Sequence, residues 1–261
     1  MEDWKIENKE VTNVSDTILG KGSFGKVYLK EWRRTHVAVK IIETNNTIVK
    51  ELFVREFDIM TKMHHPNIVQ LLGFIEKPFA IVMEYLSGGC LVDKMPITSL
   101  TKKKQVMLDV LRGLVYMHNR KPYKCIHRDI KPRNILFTRS GMAKIADLGL
   151  SKLIKTSSHN ELNEIYQMSD NVGTERYQAP EARGTEYDTP VDIYSSGIVF
   201  FELFENQKFT KDFYWSNTPK EIRELIKSMI NENSLERPNA CECYDHVDTR
   251  LSTKIWSRIC C

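Results

Sequence analysis

Gly20-Lys21-Gly22-Ser23-Phe24-Gly25-Lys26-Val27 is a G-x-G-x-x-G-x-V element. Glycines at this spacing let a backbone approach a charged ligand in conformations that other residues resist. The amide N–H groups of such a loop can meet anionic oxygens. Dinucleotide-binding turns use similar glycines, but a helix follows them; here a strand follows, which argues against that reading. Lys40 ends the segment Val37-Ala38-Val39-Lys40, and Glu56 stands sixteen residues later on a predicted helix. An isolated strand lysine is usually a solvated charge, whereas a buried Lys–Glu pair can hold its ammonium against phosphates. Farther on come His127-Arg128-Asp129-Ile130-Lys131-Pro132-Arg133-Asn134 and, thirteen residues beyond Asn134, Asp147-Leu148-Gly149. Gly173-Thr174 and Ala179-Pro180-Glu181 follow.

The elements that must position these residues fall into two halves. The first ~90 residues read mostly as strands by their β-branched and alternating patterns: Thr17 to Leu19, Val27 to Leu29, Val37 to Ile42, Ile68 to Phe74 and Phe79 to Tyr85. One helix interrupts them, with Leu52, Phe53, Phe57, Met60 and Met63 at helical spacing. Ser87-Gly88-Gly89 is a flexible break. Beyond it the chain turns helical. Thr98 or Ser99 caps a helix whose stripe is Val106, Val110, Leu114 and Met117, with Leu108, Leu111 and Val115 beside it. A second apolar helix runs from about Val191 to Phe204, and a third holds Ile222, Leu225, Ile226, Met229 and Ile230. The pattern predicts a small β-rich lobe joined to a larger α-rich lobe, with a ligand site in the cleft between them.

Composition bounds the function. Of 261 residues, 41% are hydrophobic and 28% charged, which excludes disordered and fibrous classes. Lys plus Arg number 38 against 34 Asp plus Glu, an excess too small to demand a nucleic-acid or anionic-membrane partner. The six cysteines form no disulfide-like framework, which favours a reducing, cytoplasmic setting. No apolar run is long enough to span a membrane, and the N-terminus lacks a signal core. Cys241, Cys243 and His246 have the wrong spacing for a zinc knuckle and are assigned to a C-terminal helix. Cys260-Cys261 is not a C-a-a-X box and is read as an unmodified tail. His64-His65 is read as structural, Met60 and Met63 as core filler, and Lys102-Lys103-Lys104 as a solvated helix start. Trp4, Trp32, Trp215 and Trp256 form no readable pattern.

Taken together, in order and spacing, the motifs resemble the eukaryotic protein kinases over roughly residues 14 to 250. The resemblance implies the α+β, bilobal protein-kinase fold, with an N-lobe over 14–86 and a C-lobe over 87–250. Residues 1–13 then form an N-terminal extension and 251–261 a C-terminal tail. It implies that Leu19 and the loop Gly20, Lys21, Gly22, Ser23, Phe24 and Gly25 cover the ATP phosphates. Val27, Ala38 and Leu136 would line the adenine. Met83 looks like the gatekeeper, with the backbones of Glu84 and Leu86 bonding the adenine edge. Lys40 would bind the α- and β-phosphates and pair with Glu56. Asp129 would orient the substrate hydroxyl and accept its proton, and Lys131 would neutralise the transferring group. Asn134 and Asp147 would hold Mg2+, with Mn2+ an acceptable substitute; few oxygen ligands suit such an ion. Phosphoryl transfer depends mainly on positioning and cations, so these roles form one coherent set. Glu181 and Arg237 match a buried ion pair, and Asp192 a helix residue that bonds the catalytic-loop backbone.

Details refine the resemblance. Lys131 and the run from Gly173 to Glu181 look like a serine/threonine kinase, and the whole is similar to the tyrosine-kinase-like branch. The partners implied are protein substrates with Ser/Thr acceptors, met as a monomer. Thr174 would bond Asp129 and Lys131. Leu148 replaces the usual Phe and still fills the apolar slot. Arg133 stands where kinases that prefer basic substrates carry Glu, so an upstream Arg in the substrate is disfavoured. Arg128 commonly pairs with an activation-segment phosphate; Asp170 would supply part of that charge, against autophosphorylation or an upstream kinase acting at Ser169, Thr156, Ser157 or Ser158. Cys90 is either an alkylatable thiol at the pocket's front edge or an inert loop cysteine. The segment from Gln207 to Thr218 replaces a helix and loop. The rival class is a pseudokinase scaffold, for which the full set Lys40, Glu56, Asp129, Asn134 and Asp147 is not required.

Overall fold

The β-branched runs of the first half pair into one antiparallel sheet in the computed structural model, which describes residues 2–22, 25–42, 46–155, 175–184, 187–210 and 212–248. Ser23 and Phe24, the proposed phosphorylation and charge positions Thr156, Ser157, Ser158, Ser169 and Asp170, Gly173-Thr174, Trp256 and Cys260-Cys261 lie outside the described residues. The chain divides into two units, Met1–Ser87 and Gly88–Cys261. The first is β-rich and the second mainly helical, the α+β division expected from the sequence. Among the described residues no helix is long and apolar enough to cross a membrane.

In unit 1, strands β1 (Val11–Gly22), β2 (Gly25–Trp32) and β3 (Thr35–Ile41) precede helix α1 (Thr47–Met60), and β4 (Leu71–Ile75) and β5 (Ala80–Glu84) follow it. Their order in the sheet is β1-β2-β3-β5-β4. The register pairs Val27 with Lys40 and Ala38 with Met83. Residues opposite one another share a face, and alternate residues of a strand do too. Val27, Ala38, Lys40 and Met83 therefore stand on one face, while Val37, Val39 and Val82 point to the other and bury there with Ile6, Val11, Ile75 and Ala80. Between β2 and β3 the turn is only Arg33-Arg34, with φ of 49° and 62°. Asn46 caps α1 by accepting from the Ile48 amide. Phe53 and Phe57 of that helix pack on Phe79 and Phe74, with ring centroids 4.7 and 5.1 Å apart. Met60 and Met63 are buried, as core filler should be.

Unit 2 runs α2 (Leu91–Lys94), α3 (Leu100–His118), β6 (Tyr123–Ile126), β7 (Ile135–Phe137), β8 (Ala143–Ile145), β9 (Lys152–Lys155), α4 (Pro190–Glu205), α5 (Lys220–Met229) and α6 (Ala240–Val247). The cap of α3 is Ser99, and the expected stripe of Val106, Val110, Leu114 and Met117 is buried. α4 carries apolar residues all round and is buried accordingly, with Phe200, Phe201 and Phe204 fully enclosed. Two short antiparallel ladders, β6 with β9 and β7 with β8, bracket the stretch from His127 to Asn134 and the stretch from Ala146 to Ser151. Between α4 and α5 the described residues form no helix or strand. Phe209, Phe213 and Trp215 pack there on Phe201, with ring centroids 5.3, 5.2 and 5.0 Å from it. Cys241 and Cys243 lie on α6, and no group of three or more His, Cys, Asp or Glu side chains is placed to hold a metal among the described residues.

Lys103 corrects one expectation. It is not solvated: it is buried and donates to the Phe204 carbonyl at 2.7 Å. The aliphatic stem fits the apolar packing between α3 and α4, and the ammonium finds an orphan carbonyl in the last turn of α4. Desolvation lowers its pKa, partly opposed by the Glu205 charge.

Candidate active site

Unit 1 supplies a cation held in place. Lys40 and Glu56 are buried, and the Lys40 ammonium reaches both Glu56 oxygens at 2.7 Å. β3 presents the lysine and α1 the glutamate, so the pair ties helix to sheet. Breaking a buried pair by removing one partner typically costs about 3–5 kcal/mol. On the same face as Lys40 stand the half-buried Val27, Ala38 and Met83. Glu84 N–H is already spent on the Gln70 carbonyl at 3.1 Å, and Leu86 is buried just beyond.

The glycine element is the β1–β2 hairpin, closed by Lys21 opposite Lys26 and Gly22 opposite Gly25. Its glycines serve different ends. A Cβ on Gly25 would lie 2.2 Å from the Ile41 carbonyl oxygen, so packing forbids a side chain there. A Cβ on Gly20 would meet nothing within 4 Å, so nothing in the fold itself requires glycine at that position. Ile18 faces Tyr28 while Gly20 faces Val27, which leaves Leu19 as the extra residue of a β-bulge. Leu19 is exposed.

Unit 2 supplies the acids. Asp129 Oδ2 accepts from Lys131 Nζ at 2.6 Å and from Asn134 Nδ2 at 3.0 Å. Asn134 Nδ2 also donates to the Asp129 carbonyl at 2.9 Å. Both amide protons of Asn134 are thereby used, which leaves Oδ1 as the atom outside these bonds. Asp147 is exposed, with φ 63° and ψ 77°, and Leu148 behind it is 1% exposed. Leucine therefore fills the apolar slot, as expected. Leu136 sits half-buried on β7 and bridges to Cys90.

The loop holding these groups is pinned from α4. Asp192, fully buried, accepts from the His127 and Arg128 amides at 2.8 Å each and from His118 Nε2 at 2.9 Å. Burial would raise its pKa, but the His118 bond and charge and the amide bonds hold it below the usual carboxylate range. Asp129 N–H donates to His127 Nδ1 at 3.2 Å, and His127 Nε2 lies 3.0 Å from the Ala146 carbonyl. An amide only donates and a carbonyl only accepts, so His127 is the neutral Nε2–H tautomer and bridges the Asp129 and Asp147 loops. Arg128 (φ 73°) and Asp147 are both left-handed non-glycine residues, a strain that persists where the surroundings impose it.

Lower in unit 2, Arg237 is bidentate to Glu181 at 2.5 and 2.9 Å and also reaches the Pro190, Asn231 and Glu232 carbonyls. Arg128 lies over the Tyr187 ring at 5.2 Å. Cys90 is half-buried; its thiol donates to Asp93 Oδ2 at 3.0 Å, and desolvation with that bond pushes its pKa up, which favours the inert alternative. Sequence reasoning missed His118. Its signal was its place in the last turn of α3, shortly before His127, but its partner is 74 positions away.

The family model described as Protein kinase domain matches residues 14–247. Serine/threonine-protein kinase VIK of Arabidopsis thaliana is 39% identical over 217 residues, covering 78% of this chain and 48% of that protein. Probable serine/threonine-protein kinase drkB of Dictyostelium discoideum is 31% identical over 268 residues, covering 90% of this chain and 36% of that protein. Mitogen-activated protein kinase kinase kinase 7 of Bos taurus is 32% identical over 261 residues, covering 90% and 43%. The chain thus spans less than half the length of these relatives.

Proposed function

This chain belongs to the protein kinase family, and on that premise we propose that it is an active serine/threonine kinase, transferring the γ-phosphoryl group of MgATP to protein hydroxyls. The single observation that carries the reading is the Asp129–Lys131–Asn134 constellation, built on a loop that Asp192 anchors at two successive amides.

Each residue then has a task. Lys40, held by Glu56, binds the α- and β-phosphates. Val27, Ala38, Met83 and Leu136 enclose the adenine, and the Glu84 and Leu86 backbones bond its edge. Leu19 and the loop from Gly20 to Gly25 cover the phosphates; the open space at Gly20 supports a glycine kept there for close approach of a ligand. Asp129 receives the proton of the substrate hydroxyl, a contribution of about 10²- to 10⁴-fold for a positioned base. Lys131 stays beside that carboxylate and stabilises charge on the transferring group. Asn134 Oδ1 and the Asp147 carboxylate would hold Mg2+, or Mn2+ in its place, since both are hard oxygen donors and few in number. Bound there, the cation supplies positive charge to the phosphate oxygens.

Protein Ser/Thr acceptors are the substrates, and the activation segment takes its charge from Asp170 or from phosphorylation. The cysteines of the sequence, with no disulfide-like framework in their spacing, support a reducing, cytoplasmic setting.

The test is transfer from γ-labelled ATP to a mixed protein acceptor, followed by phosphoamino-acid analysis. Wild-type protein should yield phosphoserine and phosphothreonine. Asp129→Asn should lower the rate by about 10²- to 10⁴-fold. Phosphotyrosine alone, or equal labelling with the variant, contradicts the reading.

A further inference from the structure

Residues Trp4–Ile6 lie along the open edge of the unit 1 sheet. β4 is the edge strand, and Ile6 N–H donates to the Phe74 carbonyl at 2.8 Å while Lys5 bridges to Phe74 in parallel sense. Ile6 joins the core cluster of Val37, Val39 and Val82. Lys5 pairs with Glu76 at 2.9 Å. The strand makes room for this segment: a Cβ on Gly73 would lie 2.6 Å from the Trp4 carbonyl oxygen and 2.6 Å from Ile6 Cδ1. A glycine inside a strand often marks such an approach of another backbone.

From the segment, contacts run to the residue after Met83. The Trp4 ring stacks over His64, with centroids 6.4 Å apart and planes 13° from parallel. Gln70 Nε2 donates to the Leu71 carbonyl at 3.0 Å and lies 3.2 Å from His64 Nδ1. An amide nitrogen only donates, so Nδ1 accepts and is unprotonated. The Gln70 main chain then bonds Glu84 at both polar groups. Its N–H donates to Glu84 Oε1 at 2.8 Å, and its carbonyl accepts the Glu84 amide at 3.1 Å.

We propose that Trp4, Gly73 and Gln70 are positioning residues for the nucleotide. The docked segment Trp4–Ile6 steadies His64 and Gln70, and Gln70 holds the Glu84 backbone in the register that adenine needs. The inference rests on the reading of Glu84 and Leu86 as the adenine-bonding backbone.

The test uses the full chain with MgADP as probe. Trp4→Ala and Gly73→Ala should each weaken MgADP binding about three- to tenfold, the scale of a modest coupling. The double variant should be no worse than the worse single one, because both release the same segment. Trp4→Phe should restore binding. kcat at saturating ATP should change by less than about twofold, because only uniform binding is lost. Hydrogen exchange at the Glu84 amide should quicken in Trp4→Ala. Ile226→Val in α5 serves as a stability control and should leave MgADP affinity unchanged. Wild-type affinity in Trp4→Ala, or an equal loss in Ile226→Val, overturns the inference. If Gly73→Ala does not fold, Trp4→Ala decides alone. A wild-type chain that binds no nucleotide would overturn the kinase reading as well; a binding wild type with unaltered variants overturns this inference only.

Discussion

Two nitrogens converge on one oxygen of Asp129, and both belong to residues within five positions of it. Local geometry of this kind is written in a short motif, so Asp129, Lys131 and Asn134 were legible in the sequence. Lys40 and Glu56 were legible too, because strand and helix periodicity put each on a definite element. Glu205 was not. It collects bonds from Ser216, Asn217 and Thr218, loop residues with no pattern that points back to α4. Arg133 extends the same logic to the substrate. It is exposed on the turn Pro132–Asn134, and the Asp93 carboxyl, held low mainly by its Cys90 bonds, also feels its charge. An arginine just upstream of the acceptor would meet this like charge. A degenerate peptide library should therefore disfavour Arg there, and Arg133→Glu should reverse the preference. A strong upstream Arg selection by wild-type protein would refute this.

At the scale of elements, the sequence located strands and helices better than the joints between them. The β2–β3 turn illustrates why. A two-residue hairpin with both residues left-handed favours Asn-Gly, yet the chain has Arg33-Arg34, which carries no turn signature. Tertiary pairing of Trp32 with Thr35 imposes the turn regardless. Replacing the pair by Arg33→Asn with Arg34→Gly should stabilise unit 1 by about 1–2 kcal/mol, read as a raised thermal midpoint. An unchanged or lowered midpoint would contradict the turn assignment. The α4–α5 joint gives a pH signature. Burial would raise the Glu205 pKa, but bonds from Thr218, Ser216 and Asn217 bring it from 4.5 to about 2. A carboxyl depressed on folding adds stability above its unfolded pKa and loses it as pH falls toward the folded value. The gap in denaturant midpoint between wild type and Glu205→Gln should be full at pH 7 and shrink steadily below about pH 4.5. A gap that does not depend on pH would show that the carboxylate charge is not what orders the joint.

For the molecule as a whole, the proposed reading assigns each unit its own groups: a buried, paired ammonium in unit 1, and an anchored carboxylate with oxygen donors suited to a cation in unit 2. The near-balance of charge, 38 basic against 34 acidic residues, leaves recognition to these few groups rather than to a general field. The anchoring of the acids was legible in part: Asp192 matched a residue that bonds the catalytic-loop backbone, and its carboxylate does accept from amides 64 and 65 positions away. What the sequence did not convey was His118, whose ring meets Asp192 across 74 positions that only the fold brings together. The most direct measurement is calorimetric titration of the full chain with ATP, with and without Mg2+, for wild type, Lys40→Met and Asp147→Asn. Wild-type affinity should rise at least about tenfold with Mg2+, Asp147→Asn should lose that gain, and Lys40→Met should weaken binding under both conditions. ATP binding that ignores Mg2+ in the wild type, or that survives both substitutions unchanged, would contradict a shared metal-loaded triphosphate.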